Sequence, residues 1–463
     1  MRTSCRKGEV HALLRVVVAG LVGLCLAVPA MAKDLGDILV EKGLITADEL
    51  KQAREEEKQK SAAEESRRDA IAAKLPAWVS MFTPFGDVRT RVEGFYAQDL
   101  NARTRERLRA RLGFTVQPVD EASATIRIAS GNPDDPISTN QSFERTFTRK
   151  SINLDQAYLT LKPGKTFALE PGWGYIMGGK MPVIAYRTSE MIFDDDLSPE
   201  GAQEQLVLVE HREGPFRSLK LNGFQWVVDE TASGGEPWMF GGQILTDLAV
   251  GNVATMTFAF ADYSYQDMDK VAKKFLEKSS SSFNSQLAAS NALDRDADGK
   301  ITGFDSNFNI VNLGGEVNFP NVWKTYSTGL FSELAWNSGA GNNRDLGFNV
   351  GVGFGSSGRD WYHNTLKTPG QWAVSYVYER VEQDAVPAMF AYSDAEYVTS
   401  AGSIRGSTNI QASIIRFDYM LLSNFQLTAK GHFINCLDTG DSSQPVNGNA
   451  TLFRGQLDAV LKF

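Results

Sequence analysis

Five arginines, Arg103, Arg105, Arg107, Arg109 and Arg111, stand at strictly alternate positions between Asn101 and Gln117. In an extended strand alternate side chains share one face, so this spacing builds a single row of permanent positive charge. The other face carries Leu108, Ala110, Leu112 and Phe114. Arg89 and Arg91 repeat the same parity on the preceding segment. Such a row attracts and orients anions; it does not make or break bonds. Its acidic counterpart is the run Asp194, Asp195 and Asp196, followed by Glu200.

A second constellation reads Asp294-Arg-Asp296-Ala-Asp298-Gly-Lys300-Ile-Thr302-Gly-Phe-Asp305. Oxygen ligands fall at loop positions one, three and five, glycine at six, the Lys300 carbonyl at seven, Thr302 at nine and Asp305 at twelve. That is the spacing of an EF-hand calcium loop. Asp305 stands where glutamate is usual, so a weak structural Ca2+ site is expected. Covalent catalysis is not written here, because Gly-x-Ser-x-Gly is absent and His211, His363 and His432 lie on separate segments. No enzyme is expected.

The elements that must position these residues are strands. Arg2, Arg6 and Lys7 precede an apolar run from Val16 to Ala27 and a small-residue site, Ala30-Met31-Ala32, the pattern of a secretory signal over 1–32. Removing four basic residues (Arg2, Arg6, Lys7, Arg15) and one acid (Glu9) takes the formal charge from −9 to −12. An exported chain this acidic is no nucleic-acid binder. Cys436 is the one cysteine left, so no intramolecular disulfide is expected. Mean hydropathy is −0.25, and no later apolar run approaches the roughly 20 residues of a spanning helix.

Residues 33–78 are rich in Glu, Lys, Ala and Gln and read as a periplasmic segment of two helices, with a capping box at Thr46-Ala-Asp-Glu49 opening the second. From Phe85 to Phe463 alternating segments are separated by Gly, Pro, Asn and Asp, the texture of about sixteen strands. A soluble sandwich would turn the apolar faces to a dry core. A membrane barrel would turn them to lipid and the arginines to an aqueous lumen. Connection lengths favour the barrel. The longest, 131–150, 181–203, 266–305, 383–406 and 438–450, fall on one side, and short turns such as Pro118-Val-Asp120 fall on the other. The stretch from Gly355 to Gly370 breaks the rule, being too long for a turn.

The last strand alternates Phe453, Leu457, Ala459, Leu461 and Phe463 with Arg454, Gln456, Asp458 and Lys462, and the chain stops on Phe463. A terminal aromatic of this kind resembles the closing signature of bacterial outer-membrane barrels. With Ile152-Asn-Leu-Asp-Gln-Ala-Tyr158-Leu159, Gly178-Gly-Lys-Met-Pro182 and Ile192-Phe-Asp-Asp-Asp-Leu-Ser-Pro-Glu-Gly201, the mature chain resembles the putative porin family of Gram-negative bacteria. The resemblance implies an all-β closed antiparallel barrel over 85–463, in outer-membrane lipid, trimeric or monomeric. It implies passive diffusion of small hydrophilic solutes and ions, with the third external loop folded inward to narrow the pore. Asp194, Asp195, Asp196 and Glu200 would then oppose the arginines across water and set a transverse field. The competing reading is a non-conducting barrel, an adhesin or structural envelope protein.

Overall fold

The computed structural model describes residues 46–52, 55, 76 and 79–463, apart from 99–100, 145, 170–171, 212, 231–234, 279–289, 399–403 and 439–449. The expected signal over 1–32 and most of the segment 33–78 lie outside them. The described part of that segment has a helix over 47–52. Its capping box is formed: the Glu49 amide donates to Thr46 Oγ1 at 3.1 Å, and the Thr46 amide donates to Glu49 Oε2 at 2.7 Å.

Sixteen strands build the barrel wall, and a two-residue strand, Gln141–Ser142, adds to the same sheet against Arg107 and Leu108. The first eight of the sixteen are β1 (Phe82–Tyr96), β2 (Arg103–Val119), β3 (Ala122–Ser130), β4 (Ile152–Leu161), β5 (Gly174–Lys180), β6 (Glu200–Glu210), β7 (Phe216–Val227) and β8 (Trp238–Val250). The second half comprises β9 (Ala254–Gln266), β10 (Asn309–Trp323), β11 (Tyr326–Asn337), β12 (Leu346–Gly355), β13 (Trp372–Val381), β14 (Ile410–Leu422), β15 (Phe425–Cys436) and β16 (Leu452–Lys462). Each pairs with its sequence neighbours, and β1 pairs antiparallel with β16 from Asp87 opposite Lys462 to Tyr96 opposite Phe453. That last pairing closes the barrel and leaves no sheet edge.

The period-two pattern has the polarity expected of a membrane wall. On β1, Val88 and Val92 are 45% and 46% exposed, while Asp87, Arg91 and Glu93 between and beside them are buried. Leu112, Phe114, Ile126, Leu457 and Leu461 continue the exposed apolar surface on neighbouring strands. In water this arrangement is upside down; in lipid it is the low-energy one, because the strands pair their backbones around a closed wall and apolar side chains dominate its outer face.

Long and short connections alternate around the rim. The interior is not an open tube, because several connections fold into it: 181–199 between β5 and β6, 356–371 between β12 and β13, the described part of 382–409 between β13 and β14, and the stretch between β3 and β4 that carries the buried Ile137, Ser138 and Thr139. The 356–371 connection lies at the turn end of the barrel, and its length now has a physical reason. Trp361 is fully buried there, its indole nitrogen 2.5 Å from Asn318 Oδ1 on β10 and its amide donating to Glu316 Oε2 at 3.2 Å. The segment is an inward fold anchored on the lumen wall, not a turn.

Candidate functional site: a charged constriction inside the barrel

The sequence Met191-Ile-Phe-Asp-Asp-Asp196 explains how loop 181–199 enters the lumen. Met191, Ile192 and Phe193 are all buried. The Phe193 ring meets Trp226 on β7 edge-on at 5.3 Å and Tyr263 on β9 at 5.1 Å. An apolar triplet thus docks on one wall and carries the aspartates that follow it towards the other.

That other wall is cationic. Its inward residues on β14, β15, β16, β1 and β2 include Arg416, Lys430, Arg454, Lys462, Arg89, Arg91 and the row from Arg105 to Arg111. Their carboxylate neighbours on the same strands are fewer: Asp418, Asp458, Asp87 and Glu93. Arg105 and Arg107 both pair with Glu93, the latter at 3.5 Å. Arg109 and Arg111 pair with Asp87 at 2.8 Å each. Arg91 is held by Asp458 at 2.7 Å and Asp394 at 3.2 Å, and Arg89 donates to Asn140 Oδ1 at 2.6 Å. Lys430 and Lys462 form no ion pair among the described residues; Lys430 lies over the Tyr392 ring at 5.7 Å.

The three aspartates separate in function. Asp196 alone touches the arginine row, 3.2 Å from Arg111 and 3.7 Å from Arg109, while its other oxygen accepts from the amide and hydroxyl of Thr139. Burial pushes its carboxyl up, but Arg109 and Arg111 outweigh burial and hold it down at about 2. Asp195 pairs with Arg187 at 2.6 Å and with His363 Nε2 at 2.9 Å. The surrounding protein works against its charge, yet these two cations keep Asp195, whose side chain is 44% exposed, well below the usual carboxylate range. Asp194 accepts from the Ser393 amide at 2.9 Å; burial, reinforced by Glu190 and Asp196, drives it well above that range. His363 is half-buried, which favours its neutral form, yet Asp195 and Asp360 raise it to about 10.

Several expectations are corrected. The acid and base rows were expected to face each other across water, but Asp196 is in direct contact with Arg109 and Arg111. Glu200 is no part of the constriction: it is the first residue of β6, exposed and paired with Lys180 at 3.0 Å. Arg103 is exposed at the start of β2, outside the cluster. The expected calcium loop, Asp294 to Asp305, spans a hairpin of Leu293–Arg295 with Ile301–Phe304, and part of its oxygen set is engaged within the protein. Asp296 Oδ1 accepts from the amides of Asp298 and Lys300, and the Lys300 carbonyl accepts from the Asp296 amide. Asp305 accepts from Asn342 instead, and Thr302 lies within the second strand.

Other members of the site went unread. Asp87 and Glu93 share the parity of Arg89 and Arg91, and Arg454 and Lys462 share one on β16, so those were legible. Asp394 and His363 were not, because only folding brings their connections inside. Arg454 is buried with Glu93, Asp394 and Glu396, which ties the 382–409 connection to the wall. The inward faces enclose a cavity of about 410 Å³ lined by Arg89, Arg109, Asp195, His363, Lys430 and Lys462, among others.

A family model described as Putative porin matches residues 96–432. Among solved structures, Pseudomonas putida OprB is 11% identical, with 83% of this chain and 95% of that one covered at a TM-score of 0.50. The anion-selective porin from Comamonas acidovorans is 11% identical over 82% of this chain and 99% of that one, at 0.43. The outer membrane channel DcaP of Acinetobacter baumannii is 13% identical over 82% and 97%, at 0.40. No curated protein matches in a sequence search. At these identities the OprB likeness bears on fold alone.

Proposed function

Since the chain belongs to the Putative porin family and is an outer-membrane channel, not an enzyme, we propose that it is a passive diffusion channel whose constriction favours small hydrophilic anions. The observation that carries this reading is the cationic excess of the wall facing the cavity. Arginines on β1 and β2, with Lys430 and Lys462, outnumber the carboxylates set among them, and one of the three loop aspartates is turned towards a neutral state by burial. A solute crossing the narrow region meets fixed guanidinium and ammonium groups within a low-dielectric wall, where charge is felt more strongly than in bulk water.

Planar-bilayer reversal potentials in a salt gradient test this. The unmutated protein should conduct and prefer chloride over potassium. Lys430→Gln with Lys462→Gln should shift selectivity towards cations, and Asp196→Asn towards anions. Both shifts should shrink with salt, because the Debye length falls from about 10 Å at 0.1 M to about 3 Å at 1 M. A folded, inserted protein that does not conduct would favour the structural envelope reading; a cation preference would overturn the charge argument while leaving the channel intact.

A further inference from the structure

We propose that Glu190, Asp195 and His363 form a site for one divalent transition-metal ion of the zinc class, set across the constriction. Ligand atoms of all three lie within 4.8 Å of one another, and among the described residues no other group of three or more His, Cys, Asp or Glu side chains does so. The site uses residues from two connections that enter from opposite ends of the barrel, 181–199 and 356–371. An ion bound there clasps the two.

The imidazole geometry is that of a ligand. His363 Nε2 lies 2.9 Å from Asp195 Oδ2, an ion-pair distance, yet makes no hydrogen bond of acceptable angle, so two ligand atoms already converge on one point without the directionality of a hydrogen bond. The opposite ring nitrogen, Nδ1, is 2.7 Å from Asp360 Oδ1. Thr365 Oγ1 donates to the other Asp360 oxygen at 3.3 Å. A carboxylate on the remote nitrogen fixes the ring and raises its basicity, the usual outer shell of a metal-bound histidine.

The carboxylates are oriented in the same way. Arg187 takes Asp195 Oδ1 at 2.6 Å and leaves Oδ2 facing His363. The Asp195 amide donates to Glu190 Oε2 at 3.1 Å, which holds Glu190 against the same point.

One imidazole nitrogen and two carboxylate oxygens suit zinc, whereas calcium and magnesium prefer all-oxygen shells. Three protein ligands leave a coordination position open to water or a passing anion, and all three residues line the 410 Å³ cavity. Asp360 adds a third negative charge close by, against Arg187 and Lys430 on the positive side. Binding replaces the proton of His363, so affinity should fall in acid.

Calorimetric titration of the full chain, folded in detergent micelles, with Zn2+ alone tests the site. One ion per chain is expected, with calcium unable to compete at equal concentration. His363→Ala and Glu190→Gln should each abolish that binding, and Asp360→Asn should weaken it at least about tenfold. Heat-modifiable gel mobility shows that each variant is folded. One-to-one binding that survives in folded His363→Ala and Glu190→Gln, or that is absent from the unmutated protein, overturns the proposal. Because the readout is binding, it stands or falls independently of conduction.

Discussion

Two segments of this chain each carry three aspartates, and they end in opposite environments. Asp194 to Asp196 are drawn inside the barrel and divided among Arg109 and Arg111, Arg187 and His363, and a backbone amide. Asp294, Asp296 and Asp298 stay exposed on a hairpin, where Asp296 caps its own turn. Charge does not separate them, since the two sets carry the same number of acids. What differs is the sequence just before. Met191-Ile-Phe193 is a compact apolar anchor with an aromatic pocket waiting on β7 and β9, whereas Leu293 and Ile301 of the hairpin are only partly buried. Burying a phenylalanine is worth roughly 1.5–3 kcal/mol, enough to help hold a loop whose acids then meet cations in place. The lesson is that the apolar neighbours position the acids, and the ion pairs follow.

The strongest way to break this comparison is Phe193→Ala. Truncating a buried phenylalanine costs about 3–5 kcal/mol, and here the loss falls on the contact that seats the loop. Single-channel conductance should rise, and protease should gain access to residues 181–199 in the folded protein. Conductance equal to that of the unmutated channel would show that the ion pairs, not the apolar triplet, hold the loop.

A smaller effect is expected from alkali. The charge on His363 is favoured by Asp195 and Asp360, and its value is raised from about 6.5 to about 10. Its stabilising contribution is therefore complete below about pH 6.5 and lost as pH rises through about 10. Asp195 is depressed, so its own contribution is present above the ordinary carboxylate range and lost only in strong acid. The 181–199 loop should stay latched to the 356–371 fold near neutrality and become noisier in conductance between pH 9 and about pH 11. His363→Gln should remove that alkaline step; a step that persists would place its origin elsewhere.

The smallest effect is expected at the outer hairpin. With Asp296 accepting from turn amides and Asp305 from Asn342, protease resistance of residues 294–305 should be the same in millimolar calcium and in chelator. Calcium-dependent protection would show that the hairpin refolds around the ion, as its spacing alone suggests, and would erase the contrast between the two segments.

Period-two alternation wrote the strands into the sequence, and connection lengths favoured a barrel over a sandwich. Side-chain parity is a local property, so about sixteen strands, their inward arginines and the outward Val88, Val92, Leu112 and Phe114 were legible without a fold, whereas closure is seen in the pairing of β1 with β16. Parity also contained Asp87 and Glu93 beside Arg89 and Arg91. Contacts between connections were beyond it. A loop has no period, and whether it turns outward to water or inward to the lumen depends on what the far wall offers. Only the tertiary structure could show Phe193 seated between Trp226 and Tyr263, or bring His363 from the turn end of the barrel to Asp195. The EF-hand spacing has the same limit: order along the chain names its ligands, but only the fold shows Asp296 accepting from the amides of its own turn and Asp305 from Asn342.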